Sequence, residues 1–569
     1  MAETLISPGV LTRENDTSFI APAAIEAGAA IIGPAVKGPV EVPTLLTSYG
    51  DYQRTFGTTF TVGSSKKEYL TSLAVKSYFG NGGNTLIMTR VVSGSFTGAT
   101  DTGIAASSGS APFTIETLSK GTLANSSGSV NSDGSLVNGS DDNIRWEIAN
   151  VNETLGTFSL LIRRGDDNTK NKIILESFND LSLDPNDSNY IESVIGNQYT
   201  SKGTDGTDVF VNTVGEYVNR SKYIRVASVD RPTLNYLGND GLISNVAYTD
   251  HLPTAQSGTF TGATGNNGAG NFFGDINNSD TQGLHDATAY EDAIAILSNK
   301  DEYVFNIISA PGLFYEFGNH LVQLDSIISL AESRGDCIAV VDTQAHGSSV
   351  SEVAGTAANL NSSYASTYWP HLQMLSATGK NEWVPASVVI PGVYAFTDGA
   401  AAPWFAPAGL TRGGIPNVIQ AERKLTRTQR DTLYAANVNP IATFPGAGIS
   451  VFGQKTLQKK KSALDRVNVR RLLIDLKKFV GDVSRTLVFE QNTTSTRNAF
   501  LAQVNPFLES VVQRQGLYAY RVVMDESNNT SDIIDRNQLI GQIYIQPAKT
   551  VEFVVLDFTI EPTGATFGA

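Results

Sequence analysis

Apolar and polar positions alternate along this chain in blocks of different period, and each block predicts a different kind of element. Residues 1–20 are polar and punctuated by proline and glycine, with no apolar face for a helix to bury, so an extended arm is expected. Short β-prone runs at 29–32 and 42–46 follow, separated by Gly/Pro turns. Leu70, Leu73, Ala74 and Tyr78 then recur at helical spacing, which predicts a helix over 67–78 ended by the glycine-rich 80–84. The run 85–92 (TLIMTRVV) reads as a strand buried on both faces.

The texture changes at Ser93. Residues 95–285 are rich in Gly, Ser, Thr, Asn and Asp, with short alternating strands such as 158–162 and 223–226. Within them 262–278 is low in complexity and is expected to be a mobile loop. From 286 to 390 helices alternate with apolar strands: a helix near 290–297 before a strand at 303–308, and another near 318–332 before 337–341. That rhythm predicts a small doubly wound sheet, completed by 21–95 and interrupted by the β-rich insertion.

Three helices are expected further on. Thr426 and Gln429 fit a capping box for one running through Leu433 to Asn437. A second covers about 463–480, with Val469, Leu472, Leu473, Leu476 and Phe479 as its apolar stripe and Arg466, Arg470, Lys477 and Lys478 on the polar side. A third spans about 496–515, where Pro506 implies a kink or a restart with Asn505 as N-cap. The segment 550–560 (TVEFVVLDFTI) reads as a strand: Val551, Phe553 and Val555 share one face, Leu556, Phe558 and Ile560 the other, with Val554 between. Apolar residues on both faces fit a core strand, or an arm that pairs with a neighbouring molecule.

The expected fold class is therefore a multidomain α+β / α/β chain. Its parts are an N-terminal extended arm (1–20), a middle α/β domain (21–95 plus 286–390), an inserted β-rich outer domain (96–285), a C-terminal α/β domain (391–549) and a C-terminal strand and arm (550–569). A chain of 569 residues exceeds what one core holds, and 17% charged residues is too few for a disordered polyelectrolyte. The single cysteine, Cys337, excludes an internal disulfide and sits in an apolar run as a core residue would. The opening MAETLISPGV lacks the cationic-then-apolar pattern of a signal peptide, and no apolar run approaches the ~20 residues that span a bilayer, so a soluble chain assembled in cytoplasm is expected.

Charge is distributed unevenly. Residues 411–521 hold 18 basic and 7 acidic residues, net +11, whereas 101–280 hold 11 basic and 22 acidic, net −11. With a chain total of −15, the acidic remainder would repel a polyanion, so protein partners, including copies of this chain, fit better than nucleic acid.

One stretch carries a more specific signal. In 437–473, Asn439-Pro440, the turn Pro445-Gly446, Gly453 to Leu457 with Thr456, and Val467-Asn468-Val469-Arg470-Arg471 follow one another in order. This ordered set resembles the C-terminal domain of contractile tail sheath proteins of phages and related injection machines. Ser7-Pro8-Gly9-Val10 is similar to that family's N-terminal segment, with Leu11 where tyrosine is common. Residues 388–398 with 404–408, and Gln546-Pro547-Ala548-Lys549 followed by 551–555, also resemble it. The likeness covers about 1–95 and 285–569 and leaves the insertion uncovered.

The resemblance implies a structural subunit that stacks as hexameric rings around a tail tube and contracts from a metastable extended state to drive the tube through a host envelope. It implies arms that complete a sheet in adjacent subunits, here Ser7, Pro8, Gly9, Val10, Leu11 and Thr12 together with the tail after Lys549. The implied partners are the chain itself, a tail tube protein, and baseplate and tail terminator proteins, with no nucleic acid, no direct membrane insertion and no cofactor. The location implied is the virion tail, after synthesis and assembly in the bacterial host cytoplasm. A candidate basic patch facing an acidic tube comprises Lys455, Lys459, Lys460, Lys461, Arg466, Arg470, Arg471, Lys477 and Lys478. The lysine run is also readable as a solvated loop, but Arg466, Arg470, Arg471, Lys477 and Lys478 on the adjoining helix favour contact. Alternatives are the sheath of a phage-derived bacteriocin or secretion-type machine, and a non-contractile lattice protein with a glycan-binding or glycan-cleaving insertion.

Enzyme signals are sparse. His251, His285, His320, His346 and His371 lack metal-ligand spacing. Asp342, His346 and Ser348 or Ser349 are the nearest approach to a triad, without a nucleophile elbow. Gly446-Ala447-Gly448 lacks the third glycine of a dinucleotide loop, and 80–83 lacks the Lys-Ser/Thr of a phosphate loop. No catalytic, cofactor or metal residues are assigned, and the chain is read as a non-enzyme.

Overall fold

A computed structural model describes residues 25–62, 65–206, 208–238, 240–265 and 287–552, with Ile276, Asn278 and Gln282 as single positions between. The expected arm 1–20, most of the loop 262–278 and the tail beyond Glu552 lie outside the described residues.

The organising element is a six-stranded sheet in the order Ala365–Ser366, Ile338–Asp342, Tyr303–Phe314, Ile25–Gly33, Leu86–Arg90, Thr44–Leu46. All neighbours are parallel except the last pair. Ile25–Gly33 is central, with Ala29 paired to Ile307 on one side and to Leu86 on the other. Alternate residues serve opposite faces. Ala29, Ile31, Met88, Ile307 and Val340 meet the helices Leu70–Gly80 and Ala386–Ala400; Ala30, Ile32, Ile308 and Val341 meet Ala287–Ile296 and Gly318–Arg334. Cover on both faces explains why these strands read as unbroken apolar runs. Cys337 is fully buried in the second core.

The helix expected over 67–78 spans Leu70–Gly80, because Ser65–Glu68 is taken by a hairpin with Thr59–Val62. The helix Ala386–Ala400 contains Pro391, whose missing N–H leaves the carbonyl of Ser387 unclaimed; Ser309 Oγ donates to it at 3.2 Å. Gly392 lets this helix approach its neighbour, since a Cβ there would lie 2.9 Å from the Ser77 carbonyl.

The insertion is a β-sandwich. One sheet runs Ile174–Ser182, Thr157–Arg164, Ile144–Asn152, Gln256–Gly258; the other runs Ile224–Val229, Phe113–Lys120, Gly98–Asp101, Phe260–Thr261. Their inner faces share one core that includes Trp146, Leu160, Ile224 and Phe260, with Phe113 and Phe158 stacked at 5.5 Å. A separate hairpin, Tyr199–Asp205 with Asp208–Val214, straps the insertion to the α/β layer: Lys202 Nζ reaches Asp292 at 2.5 Å and Glu41 at 3.1 Å.

At the root of the insertion lies Arg90, fully buried at the end of its strand. Its guanidinium donates to the carbonyls of Ala35 (3.1 Å), Val36 (3.4 Å), Gly38 (2.7 Å) and Lys120 (2.9 Å). Burial pulls it down to about 10, so it stays charged at neutral pH.

In the C-terminal part the capping box at Thr426 and Gln429 forms in both directions on the helix Arg427–Ala435. The helix expected over 463–480 is a 3₁₀ turn, Ala463–Asp465, followed by Val467–Arg485. The helix Thr494–Gln513 runs through Pro506, so the restart at Asn505 is not adopted; the Asn505 carbonyl instead accepts from Tyr520 Oη at 3.1 Å. Of the strand expected over 550–560, residues 550–552 carry no strand, Val551 is exposed, and Phe553, Val554, Val555, Leu556, Phe558 and Ile560 lie outside the described residues.

Replacing Arg90 by Met should cost about 3 kcal/mol, because the carbonyls of Ala35, Val36, Gly38 and Lys120 lose a shared charged donor together. Denaturant unfolding reads the loss, and faster proteolysis at 93–98 reads the loosened insertion. An unchanged midpoint and cleavage rate would contradict the clamp.

Candidate assembly interface

The residues singled out in 437–473 build the root of a cationic loop. Asn439 is fully buried and grips Lys455 at both ends: its Oδ1 accepts from Lys455 N at 2.6 Å and its Nδ2 donates to Lys455 O at 2.8 Å and Thr367 O at 3.1 Å. Gly453 is required there, since a Cβ would sit 2.9 Å from Pro440 Cδ and 3.0 Å from Asn439 Oδ1. Thr456 Oγ1 donates to Leu464 O at 3.0 Å, and Leu457 N to Ala365 O at 2.9 Å. The loop is thus tied to the edge of the main sheet, and Lys459, Lys460 and Lys461 project from it, exposed.

The rest of the expected basic patch does not stand with them. Lys455 Nζ donates to Tyr434 O at 2.6 Å and lies over that ring at 4.3 Å. Arg470 is buried, donating through Nε to Ser363 O at 3.1 Å and stacking 3.9 Å over Tyr364. Lys477 Nζ donates to Tyr364 Oη at 3.1 Å, and Lys478 is half-buried. Arg471 is buried against Asp398, Nη2 to Oδ1 at 2.7 Å, with Tyr394 beneath at 4.7 Å. Arg470 therefore leaves the polar face predicted for it, and Arg471 the basic patch. They satisfy groups on neighbouring elements, which a helical wheel drawn from one segment cannot show.

Arg466 has another task. Its Nε and Nη2 donate to Glu552 at 2.7 and 3.0 Å, and Nη1 meets Asp465 at 3.0 Å. Glu552 also accepts from Tyr434 Oη at 3.0 Å and Gln454 Nε2 at 3.2 Å, and Gln454 donates to Thr550 as well. Burial favours the neutral acid, but the Arg466 hydrogen bonds and charge outweigh it and hold Glu552 below its usual range. The chain leading to its own C-terminus is clamped at the base of the lysine loop. Sequence reasoning missed Glu552, because its partners lie 86 to 118 positions away.

A second feature is a two-stranded antiparallel sheet, Leu517–Val523 with Gln542–Pro547. Leu517, Ile543 and Ile545 pack with Val504 and Leu508 of the helix Thr494–Gln513, while Tyr518 and Tyr544 are exposed. Among the described residues both outer edges lack a strand partner. A bare pair is marginal by itself, and its open edges are templates for further strands.

The suspected catalytic set is not assembled. Asp342 accepts from Ser387 N at 3.2 Å and burial pushes it up to about 7; Ser349 caps the helix Val350–Ala357; Ser348 Oγ donates to Ala345 O at 2.9 Å. His346 lies against Trp383, and His371 is driven down to about 3 by burial and then by His346. Among the described residues no group of His, Cys, Asp and Glu is placed to hold a metal, and no helix is long and apolar enough to cross a membrane.

This is a multidomain α/β protein with an inserted sandwich and an open-edged C-terminal hairpin. Residues 286–457 match the phage tail sheath protein central domain and 459–561 the phage tail sheath C-terminal domain. The tail sheath protein of Vibrio phage KVP40 is 40% identical over 188 residues, 33% of this chain and 28% of the relative. That of Enterobacteria phage T4 is 39% identical over 210 residues, 37% of this chain and 32% of the relative. The chain thus spans about a third of the length of these relatives. The crystal structure of the sheath tail protein Lin1278 from Listeria innocua is similar in fold, with a TM-score of 0.52 at 11% identity over 92% of this chain and 96% of that one. Residues 286–457 and 459–561 thus carry the two domains of the phage tail sheath family.

Glu552→Gln should weaken the clamp by about 1–2 kcal/mol and speed amide exchange over 549–552. A carboxylate whose folded pKa lies below the unfolded value stabilises above that value and loses the contribution as pH falls through the folded one. The wild-type segment should therefore loosen as pH falls below the ordinary glutamate range. Identical exchange in the variant at neutral pH would count against the clamp.

Proposed function

We propose that this chain is the structural subunit of a contractile tail sheath, stacked in hexameric rings around a tail tube. The observation that carries the proposal is the C-terminal hairpin with two open edges, next to a chain end held at Glu552. An arm from a neighbouring copy adds as a strand to such an edge through backbone hydrogen bonds. Each bond is worth only ~1 kcal/mol net, but two arms per subunit repeated around closed rings make loss of one subunit slow. The segments proposed as arms are 7–12 and 551–560.

In this reading contraction needs no nucleotide. The extended lattice is metastable, a baseplate trigger lowers the barrier, and rotation of linked subunits drives the tube through a host envelope. Lys459, Lys460 and Lys461 would then face an acidic tube. Baseplate and terminator proteins close the two ends, the assembly forms in the host cytoplasm, and the sheath is carried on the virion tail. A structural role fits a chain whose buried His and Asp serve packing rather than a shared cleft.

Purified protein, concentrated without partners, should form ringed or helical tubes with a wide hollow centre by electron microscopy. Deleting 1–14 or 550–569 should abolish those tubes while leaving the melting transition within a few degrees; normal tubes from either truncation would refute the arms. Charge reversal at Lys459, Lys460 and Lys461 should leave partner-free tubes intact but weaken capture of the tube protein at least about tenfold. Equal capture would remove the lysine loop from the tube contact.

A further inference from the structure

A cleft of about 790 Å³ lies between the sheet domain and the insertion. One wall is the segment after the central strand and the end of the helix Tyr49–Phe56; the other comprises strands of both sandwich sheets and the hairpin Tyr199–Asp205 with Asp208–Val214. Lys37 and Asp142, 3.0 Å apart, tie the two walls together, and the Arg90 clamp and the Lys202 strap hold them from the sides. Its size is that of a small-ligand site.

The chemistry of the walls runs against that of the domain around them. Residues 101–280 carry twice as many acidic as basic side chains, 22 against 11. Yet the cleft is lined by Lys37, Arg54, Lys120, Arg164, Lys222 and Arg225 against Glu116, Asp141 and Asp142. Four of these cations come from the acidic insertion and two, Lys37 and Arg54, from the sheet domain. Lys120 Nζ and Lys222 Nζ make no ion pair among the described residues, and Lys120 is half-buried. Arg225 lies 4.3 Å over the ring of Tyr199, which is itself exposed into solvent. Hydroxyls and amides fill the remaining wall, among them Gln53, Thr200 and Asn219. Ring faces, amides, hydroxyls and spread cations suit flat, hydroxyl-rich rings bearing carboxylates at intervals.

We propose that this cleft binds an acidic polysaccharide, with Lys120 and Lys222 meeting its carboxylates and Tyr199, backed by the Glu116-paired Arg225, stacking on a sugar ring. The site is independent of sheath assembly and gives the insertion a surface-recognition role.

The test titrates purified full-length protein with fluorescently labelled polygalacturonate, with neutral dextran and inorganic phosphate as controls. Expected are saturable, salt-sensitive binding of polygalacturonate, no binding of dextran, and no competition by phosphate at matched ionic strength. Lys222→Glu is at the surface and should weaken binding about tenfold; Lys120→Gln, a milder change at a half-buried position, should weaken it about threefold. Tyr199→Ala should weaken it about threefold without altering the salt slope. Each variant is matched to wild type by melting temperature. No saturable binding, equal binding of dextran, or indifference to Lys222→Glu would overturn the site. Displacement by phosphate would replace it with a free-anion site, and indifference to Tyr199→Ala would reduce it to unspecific charge attraction.

Discussion

The geometry of this molecule rests on Arg90, a buried cation satisfied by carbonyl oxygens. A guanidinium removed from water is tolerable only where acceptors are held in fixed places around it. Three of its acceptors belong to 35–38, just past the central strand, and the fourth is Lys120 in the sandwich. One side chain therefore sets how the chain leaves the parallel sheet, how the sandwich is mounted on it, and the width of the cleft between them. The Lys37–Asp142 pair and the Lys202 contacts are more exposed and act as secondary ties, since partly solvated pairs contribute little each.

The same economy governs the C-terminal half. Its net positive charge looks like a surface in the sequence, but much of it is spent internally. Arg471 and Asp398 join the helices Val467–Arg485 and Ala386–Ala400, Arg470 covers Tyr364, and Arg466 holds Glu552. Buried ion pairs are weak net stabilisers but strongly penalise any arrangement that separates them. They are suited to keeping the two helices and the segment at Glu552 in one relative orientation. Among the charges left to solvent are the three lysines of the 459–461 loop.

The central and C-terminal domains carry the family likeness, whereas the insertion lies outside both matched segments. Its sandwich has its own core, and its attachment to the sheet domain runs through a few polar contacts and the strapped hairpin. Such a mounting lets a recognition surface be added without disturbing the sheet that orders the chain.

How much was legible in the sequence follows from where each signal originates. The strands 29–32, 85–92, 303–308 and 337–341 announced themselves because burial on both faces demands unbroken apolar runs. The helix beginning after Thr426 did so because a capping box lies within four consecutive residues. Asn439, Gly453 and Val467 to Arg471 stood out as an ordered local set. The clamp at Glu552, the carbonyl nest of Arg90, the seat of Arg471 on Asp398 and the cation-lined cleft did not. Their partners lie tens to hundreds of positions apart, and a charged residue looks the same in sequence whether it meets solvent, a carbonyl or a carboxylate. Local periodicity and turn chemistry thus determined the elements and their alternation, because those depend on neighbours within a turn or a strand. Which charges were buried, which edges were left open and where the two bodies meet were decided only by tertiary structure, because burial is a property of the assembled layers.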